Sequence, residues 1–364
     1  MRSFIIGCTL GLVGGVLLAA AVGTPNGPPP ETQAARQTVE GADPPIRWRL
    51  VSAFPTNMSP QGTRVTELAS KIKVISRGDI EMSVNEPGAL VQSADIYDAV
   101  ASGVVDAGFA SPSLWAKKSP ALQLFGAIPF GPEPAEFLAW FKFGGGNELF
   151  DAINHSQNIH SVLCGVVPAA GGGWFKKPVD DISDLADKTI AVSGLGAEVL
   201  KNIGATVVVM PPADLANALG RNDVDGAVFS VPTADLGLGF DKRARYYYFP
   251  GWHQQTGILE LLINLEAWNL LSDGRRAQIE SVCLANLGDS LARSEADQFA
   301  ALKSLVLQGV EVKRWKPEIT TALSRAWQAV ATVQAAKDKS FNEVWQSLSA
   351  FREDYAIWKE LGYL

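Results

Sequence analysis

Residues 46–52 alternate apolar and polar and are rich in strand formers, which predicts a strand opening a sheet. Residues 61–75 then carry apolar side chains at helical spacing, and residues 80–84 return to a strand-like run. Asp95 reads as a helix cap, because Ile96, Ala99 and Val100 follow at i, i+3 and i+4. Gly103 ends that helix, and a strand then runs to Ser111-Pro112. The phrase recurs: Asp214 caps Leu215, Ala218 and Leu219, and a strand runs to Ser230-Val231-Pro232. The interval from the cap to the aspartate that opens the strand, Asp106 or Asp225, is 11 residues in both copies. Two such units predict two α/β lobes of similar build, although a chance likeness of two αβ steps would look the same. Asp225 is expected to close its own turn.

Residues 159–167 are apolar enough for a buried crossing strand. Residues 189–192 and 206–210 read as strands around the turn Ser193-Gly194-Leu195-Gly196 and a helix holding Val199, Leu200 and Ile203. Residues 258–264 form a further strand. This alternation predicts mostly parallel sheets. The two lobes are expected to interleave, the first drawn at about 46–160, the second at about 161–265, with a helical part over 266–364. A stripe of Val344, Trp345, Leu348, Phe351, Tyr355 and Trp358 marks an amphipathic final helix. Ligands on such sheets bind beyond the strand C-termini, so Ser111, Ser193 and Ser230 are candidates to face a shared cleft.

The chain opens with Met1-Arg2-Ser3 and an uncharged apolar run over residues 4–22. Residues 1–23 therefore read as an export signal, or as an uncleaved anchor, since the run approaches the ~20 residues that span a bilayer. Residues 24–45 are a Pro/Gly-rich linker.

Composition narrows the function. The chain is 47% hydrophobic and 19% charged, which supplies a large core and excludes global disorder. A net charge of −7 argues against a nucleic-acid partner. Three His and three Cys exclude a Cys-rich metal module. Cys164 and Cys283 read as small buried core residues that an oxidising compartment could pair. His155 and His160 sit in a polar stretch and read as surface or loop residues; His253, beside Trp252, is the histidine placed near a cleft. Gly194-x-Gly196 lacks a third glycine, since position 199 is Val, and no phosphate loop or HExxH motif occurs. With no catalytic residues and no metal ligands visible, the chain reads as a binding protein and not an enzyme.

Several short motifs then fall in a familiar order. They are Glu86-Pro87-Gly88-Ala89-Leu90-Val91, Asp95-Ile96-Tyr97-Asp98-Ala99-Val100, Gly171-Gly172-Gly173-Trp174-Phe175-Lys176-Lys177-Pro178, and Tyr246-Tyr247-Tyr248-Phe249-Pro250-Gly251-Trp252. Together they resemble the family 7 solute-binding proteins of tripartite ATP-independent periplasmic (TRAP) transporters, most of all the subgroup that binds α-keto acids. The resemblance implies an α/β, two-lobe periplasmic binding protein of type II-like build with long C-terminal helices. It implies capture of a small organic solute by lobe closure in the periplasm and delivery to TRAP membrane subunits. A membrane-tethered binding or assembly protein on the same scaffold is the alternative.

The family's anchor positions differ here. An arginine that grips a carboxylate aligns with Ala191, and a glutamine before the Gly-Gly-Trp aligns with Ala170. The Glu-Trp that helps hold a cation aligns with Val228-Phe229, and a further glutamate with Gln254. The expectation is therefore no cofactor, the family cation site being lost, and a more apolar pocket. Trp174, Phe229 and Trp252 are its expected walls, and Ser193, Ser230 and Gln254 its hydrogen-bonding groups. The tail stops soon after Trp358, so the stripe is expected to pack on its own body and leave a monomer.

Overall fold

The computed structural model describes residues 44–362. The leader, and the linker up to residue 43, lie outside the described residues.

The strands are β1 (Ile46–Ser52), β2 (Ile80–Asn85), β3 (Ala107–Ala110), β4 (Ile159–Val167), β5 (Gly173–Phe175), β6 (Thr189–Ala191), β7 (Thr206–Val208), β8 (Gly226–Ala227), β9 (Tyr246–Phe249), β10 (Gly257–Asn264) and β11 (Glu311–Arg314). They form a five-stranded sheet, β2-β1-β3-β10-β4, and a six-stranded sheet, β11-β9-β5-β8-β6-β7. Each sheet anchors one lobe of an α/β fold.

The internal echo is built into both sheets. β3 lies parallel to β1, and β8 lies parallel to β6. In the first copy the Asp106 carboxylate accepts the N–H of Arg49 on β1 at 2.8 Å. In the second, the Asp225 carboxylate accepts the N–H of Thr189 on β6 at 3.0 Å. The two aspartates therefore tie each strand to its parallel neighbour, a structural role. The caps differ from expectation. Asp95 ends a 3-10 turn before helix Ile96–Ala101 and makes no side-chain cap bond. Asp214 lies inside helix Pro212–Arg221, because Pro212 can open a helix two residues earlier with its fixed φ.

The lobe limits also move. β4 and β10 both belong to the first sheet, and β10 runs antiparallel between β3 and β4. A boundary at residue 160 therefore cuts through the first lobe, and the sheets are mixed rather than mostly parallel. β10 is buried at every position, so its sequence carries no alternation to give its pairing away. The C-terminal part is not wholly helical, since β11 adds an edge strand beside β9.

Cys164 on β4 and Cys283 on helix Asp273–Leu307 are both fully buried, as read, and form a disulfide, the pairing that the sequence leaves open. The same helix grips β4 through the Ser290 hydroxyl, which accepts the Val166 N–H at 2.8 Å. Among the described residues no helix is long and apolar enough to cross a membrane.

The final helix, Lys339–Gly362, buries Phe341, Val344 and Leu348. Trp345 meets Trp327 edge to face at 5.3 Å. The stripe thus packs on its own body through its first half. Further along, Ile357, Trp358 and Leu361 are exposed.

Candidate functional site

Three loops and one helix start converge beyond the strand ends. Residues 168–172 follow β4, residues 228–231 follow β8, and residues 250–256 precede β10. Their backbones interlock: Gly171 N–H donates to Ser230 O at 2.9 Å, and Ala170 N–H to Gln254 O at 3.0 Å. Helix Gln61–Ile75 points its first residue at them. Gln61 Nε2 donates to the Ser230 hydroxyl at 2.9 Å, joining a first-lobe helix to the second-lobe loop. The other Gln61 amide atom, Oε1, is buried and has no hydrogen-bond partner. An unmade acceptor of this kind costs about 1–3 kcal/mol, so the site leaves free a group that a ligand can satisfy.

Ser230 is buried at this junction, where the two lobes' segments meet. Phe229 is half-buried beside it and packs against the cores of both lobes. Its carbonyl accepts from His253 Nε2 at 3.3 Å. Burial holds the His253 imidazole down at about 4, the Phe229 carbonyl opposing, so the ring stays neutral. His253 is buried against the loop that carries Phe229 and Ser230.

Ser193 is exposed and immediately precedes helix Gly194–Asn202 without capping it. The N–H groups of that first turn are free to take an acceptor. Gln123 of the first lobe faces this turn: a Cβ built on Gly194 would lie 3.8 Å from its Oε1. Trp252 is 2% exposed and lies under the same turn, its ring 3.7 Å from a Cβ built on Gly196. Its carbonyl accepts the Phe130 N–H at 2.8 Å. Trp252 is thus packed beneath this turn.

Two expected site residues take other roles. Trp174 is fully buried in the second-lobe core, stacked on Tyr247 at 4.0 Å and on Phe240 at 5.8 Å. Its Nε1–H donates to Asp235 at 2.8 Å, which leaves no polar edge for a ligand. Gln254 Nε2 donates to the Pro168 carbonyl at 3.2 Å, so it braces the loop after β4. Gln61 and Gln123, which the motifs do not mark, also approach these loops. A signal for Gln61 exists, since it is a polar residue on the apolar stripe of its helix.

The exchanged anchor positions are all apolar and buried. Ala191, Ala170 and Val228 are 0%, 2% and 4% exposed. Ala191 lies in one cluster with Leu215, Ala218 and Leu219 of the helix that covers its sheet. His155 and His160, expected as separate surface or loop residues, meet at 3.1 Å at the far end of β4.

Comparison with known proteins gives a consistent picture. A family model described as bacterial extracellular solute-binding protein, family 7, matches residues 51–338. A monocarboxylate 2-oxoacid-binding periplasmic protein from Nostoc sp. is 30% identical over 336 residues, covering 92% of this chain and 91% of the relative. A TRAP transporter solute-binding protein from Bordetella bronchiseptica superposes with a TM-score of 0.84 at 29% identity, over 88% of this chain and 95% of that one. It is a mixed-occupancy dimer with co-purified calcium and picolinate in one active site and the other site apo. A TRAP periplasmic solute-binding protein from Colwellia psychrerythraea, with bound calcium and pyruvate, gives 0.83 at 28% identity, over 87% and 97% of the two chains.

These structures correct the expectation of no cofactor. Relatives on this scaffold hold calcium beside the solute. Replacing a few side chains does not by itself abolish such a site, because calcium takes six to eight oxygens, among them backbone carbonyls, amide oxygens and water.

Proposed function

The chain belongs to family 7 of the bacterial extracellular solute-binding proteins, and we propose that its cleft takes a singly charged organic acid with a substantial hydrocarbon part. As a member of that family it is the periplasmic solute-binding component of a TRAP transporter, not an enzyme. It captures a small organic solute and works with membrane subunits. Nothing in its relatives supports the alternative of an assembly protein without a transport role.

What supports this solute class is that Ala170, Ala191 and Val228 are apolar and buried where the resemblance places polar anchors, and that Phe229 and Trp252 add aromatic surface. Each exchange removes a group that would need a partner when the lobes close. Apolar surface remains for hydrocarbon. The acid's oxygens have the N–H groups at the start of helix Gly194–Asn202 and the Ser193 and Ser230 hydroxyls. Solute that touches both lobes favours the closed arrangement, in which Gln61 reaches Ser230.

A calorimetric screen should pair small carboxylates with larger acids carrying aliphatic or aromatic parts, on wild type and on Phe229→Ala. We expect the larger acids to bind tighter and Phe229→Ala to weaken them by about tenfold, since a half-buried ring contributes part of roughly 1.5–3 kcal/mol. If only small, highly charged acids bind, and Phe229→Ala leaves them unchanged, the proposal is wrong.

We also infer a monomer. Arg352 reaches Glu136 at 3.0 Å and Lys359 reaches Glu133 at 2.6 Å, both of which hold the final helix to its own body. Ile357 and Leu361 are what a partner would have to cover. Light scattering should give the monomer mass at micromolar concentration; a stable dimer there overturns the inference.

A further inference from the structure

We propose that Asp151, His155 and His160 form a binding site for a divalent transition-metal ion of the zinc type, separate from the solute cleft. Asp151 and His155 are four residues apart on helix Gly146–His155, so both side chains leave one face. The chain then reverses through Asn158, which holds the left-handed conformation at φ 59°, and enters β4. That turn brings His160 back to the helix end. His155 Nε2 lies 3.1 Å from His160 Nδ1 and 4.0 Å from Asp151 Oδ1. One ligand atom from each residue lies within 4.8 Å of the other two.

The carboxylate is set for this role. Asn147 Nδ2 donates to Asp151 Oδ2 at 3.0 Å and fixes the group. Oδ1 is buried and has no hydrogen-bond partner. An orphaned carboxylate oxygen beside two imidazole nitrogens is what a cation would satisfy, and an orienting amide behind it is how ligating carboxylates are held. The His160 ring is also held, stacked on Trp268 at 4.1 Å and 18°.

The spacing suits a metal. Two nitrogens bound to zinc at about 2.0–2.1 Å in a tetrahedron lie roughly 3.3 Å apart, close to the observed pair. Asp151 Oδ1, 4.0 Å from His155 Nε2 and within 4.8 Å of the His160 ligand atom, would need to move in by roughly 1–1.5 Å. His155 is 41% exposed, which leaves solvent access for entry and for water as a further ligand. Two imidazoles and one carboxylate favour zinc, copper or nickel over calcium. The charge around the site is mixed: Glu148 and Glu280 act on Asp151, whereas Arg276 acts on His160.

The place in the fold separates this site from the solute. His160 is at the start of β4, and the cleft loop begins after Val167. Seven residues of strand, roughly 23 Å, lie between them. A metal here would pin helix Gly146–His155 to the first sheet.

Tag-free protein stripped with chelator should be titrated with Zn2+ by calorimetry, and with Co2+ by visible absorbance. We expect one equivalent of Zn2+ at micromolar affinity or better, unchanged by millimolar calcium, and a cobalt d–d band. His155→Ala, an exposed position that should not disturb folding, should weaken zinc by at least about tenfold and abolish the band. Asn147→Ala should weaken it by about tenfold through the freed carboxylate. Absence of binding at micromolar Zn2+ overturns the proposal. So does undiminished binding in His155→Ala and Asp151→Asn variants whose circular dichroism matches wild type.

Discussion

Pyruvate should show no micromolar affinity for the purified protein in calorimetry. The resemblance places a carboxylate-gripping arginine at position 191, and this chain has a fully buried alanine there. A charge-assisted, two-pronged pair contributes roughly 1.5–3 kcal/mol, or about 10–150-fold in affinity. The free N–H groups at the start of helix Gly194–Asn202 offer an anion roughly 0.3–1 kcal/mol. The replacement is smaller than the loss, so a ligand whose binding rests on its carboxylate is penalised. A solute with more hydrocarbon recovers the difference at about 25 cal/mol per Å2 of apolar surface buried. Putting the arginine back is no simple rescue. Ala191 belongs to the apolar cluster of Leu215, Ala218 and Leu219, and an unpaired guanidinium there would cost several kcal/mol of stability. A micromolar pyruvate isotherm on wild type would show that another group carries the carboxylate.

Much of the fold can be read from the chain because its signals are local. The repeated helix–strand unit is visible in spacing, and Asp106 and Asp225 do the same job in both sheets. What escapes the sequence is non-local. β10 inserts between β3 and β4 from a long way off in sequence, and a fully buried strand shows no periodicity that names its neighbours. The disulfide joins residues 119 apart, a proximity that only the fold creates. The site is half legible. Ser230, Phe229 and His253 come together, because each sits in a loop at a strand end. Trp174 misleads because a motif aromatic looks the same whether its strand turns it to the cleft or to the core. His155 and His160 mislead because their five-residue spacing spans a helix end and a turn, which no single-element periodicity describes.

Trp174 also leads to the largest expected change in stability. Asp235 is fully buried, and its Oδ2 accepts both the Trp174 N–H at 2.8 Å and the Tyr247 hydroxyl at 2.7 Å. Asp235→Ala leaves two buried donors unmet at about 1–3 kcal/mol each, so urea unfolding at neutral pH should lose roughly 2–5 kcal/mol. Because the residue sits behind the cleft-bearing sheet, the variant's solute affinity should fall with it. Burial pushes the Asp235 carboxyl up to about 6, although both donors pull it down. Its unfolded value is about 3.9. A carboxyl raised on folding favours the native state while protonated. Its contribution is full below about 4 and is lost as pH rises through about 6. Buried Glu260, raised to about 7, acts in the same direction. Buried His253 and His160, both held down at about 4, act in the opposite direction over the same range, so the expected result is a difference: as pH falls from about 7.5 to about 5, wild type should gain more stability, or lose less, than Asp235→Asn. The Asp235 share is roughly 1.4 kcal/mol, the value of the one pH unit between about 6 and about 5. The asparagine variant keeps an acceptor but cannot titrate at that position, so its profile should lack the Asp235 share and keep those of Glu260, His253 and His160. Equal slopes for the two proteins, or an alanine variant within about 1 kcal/mol of wild type, would show that Asp235 does not hold this core together.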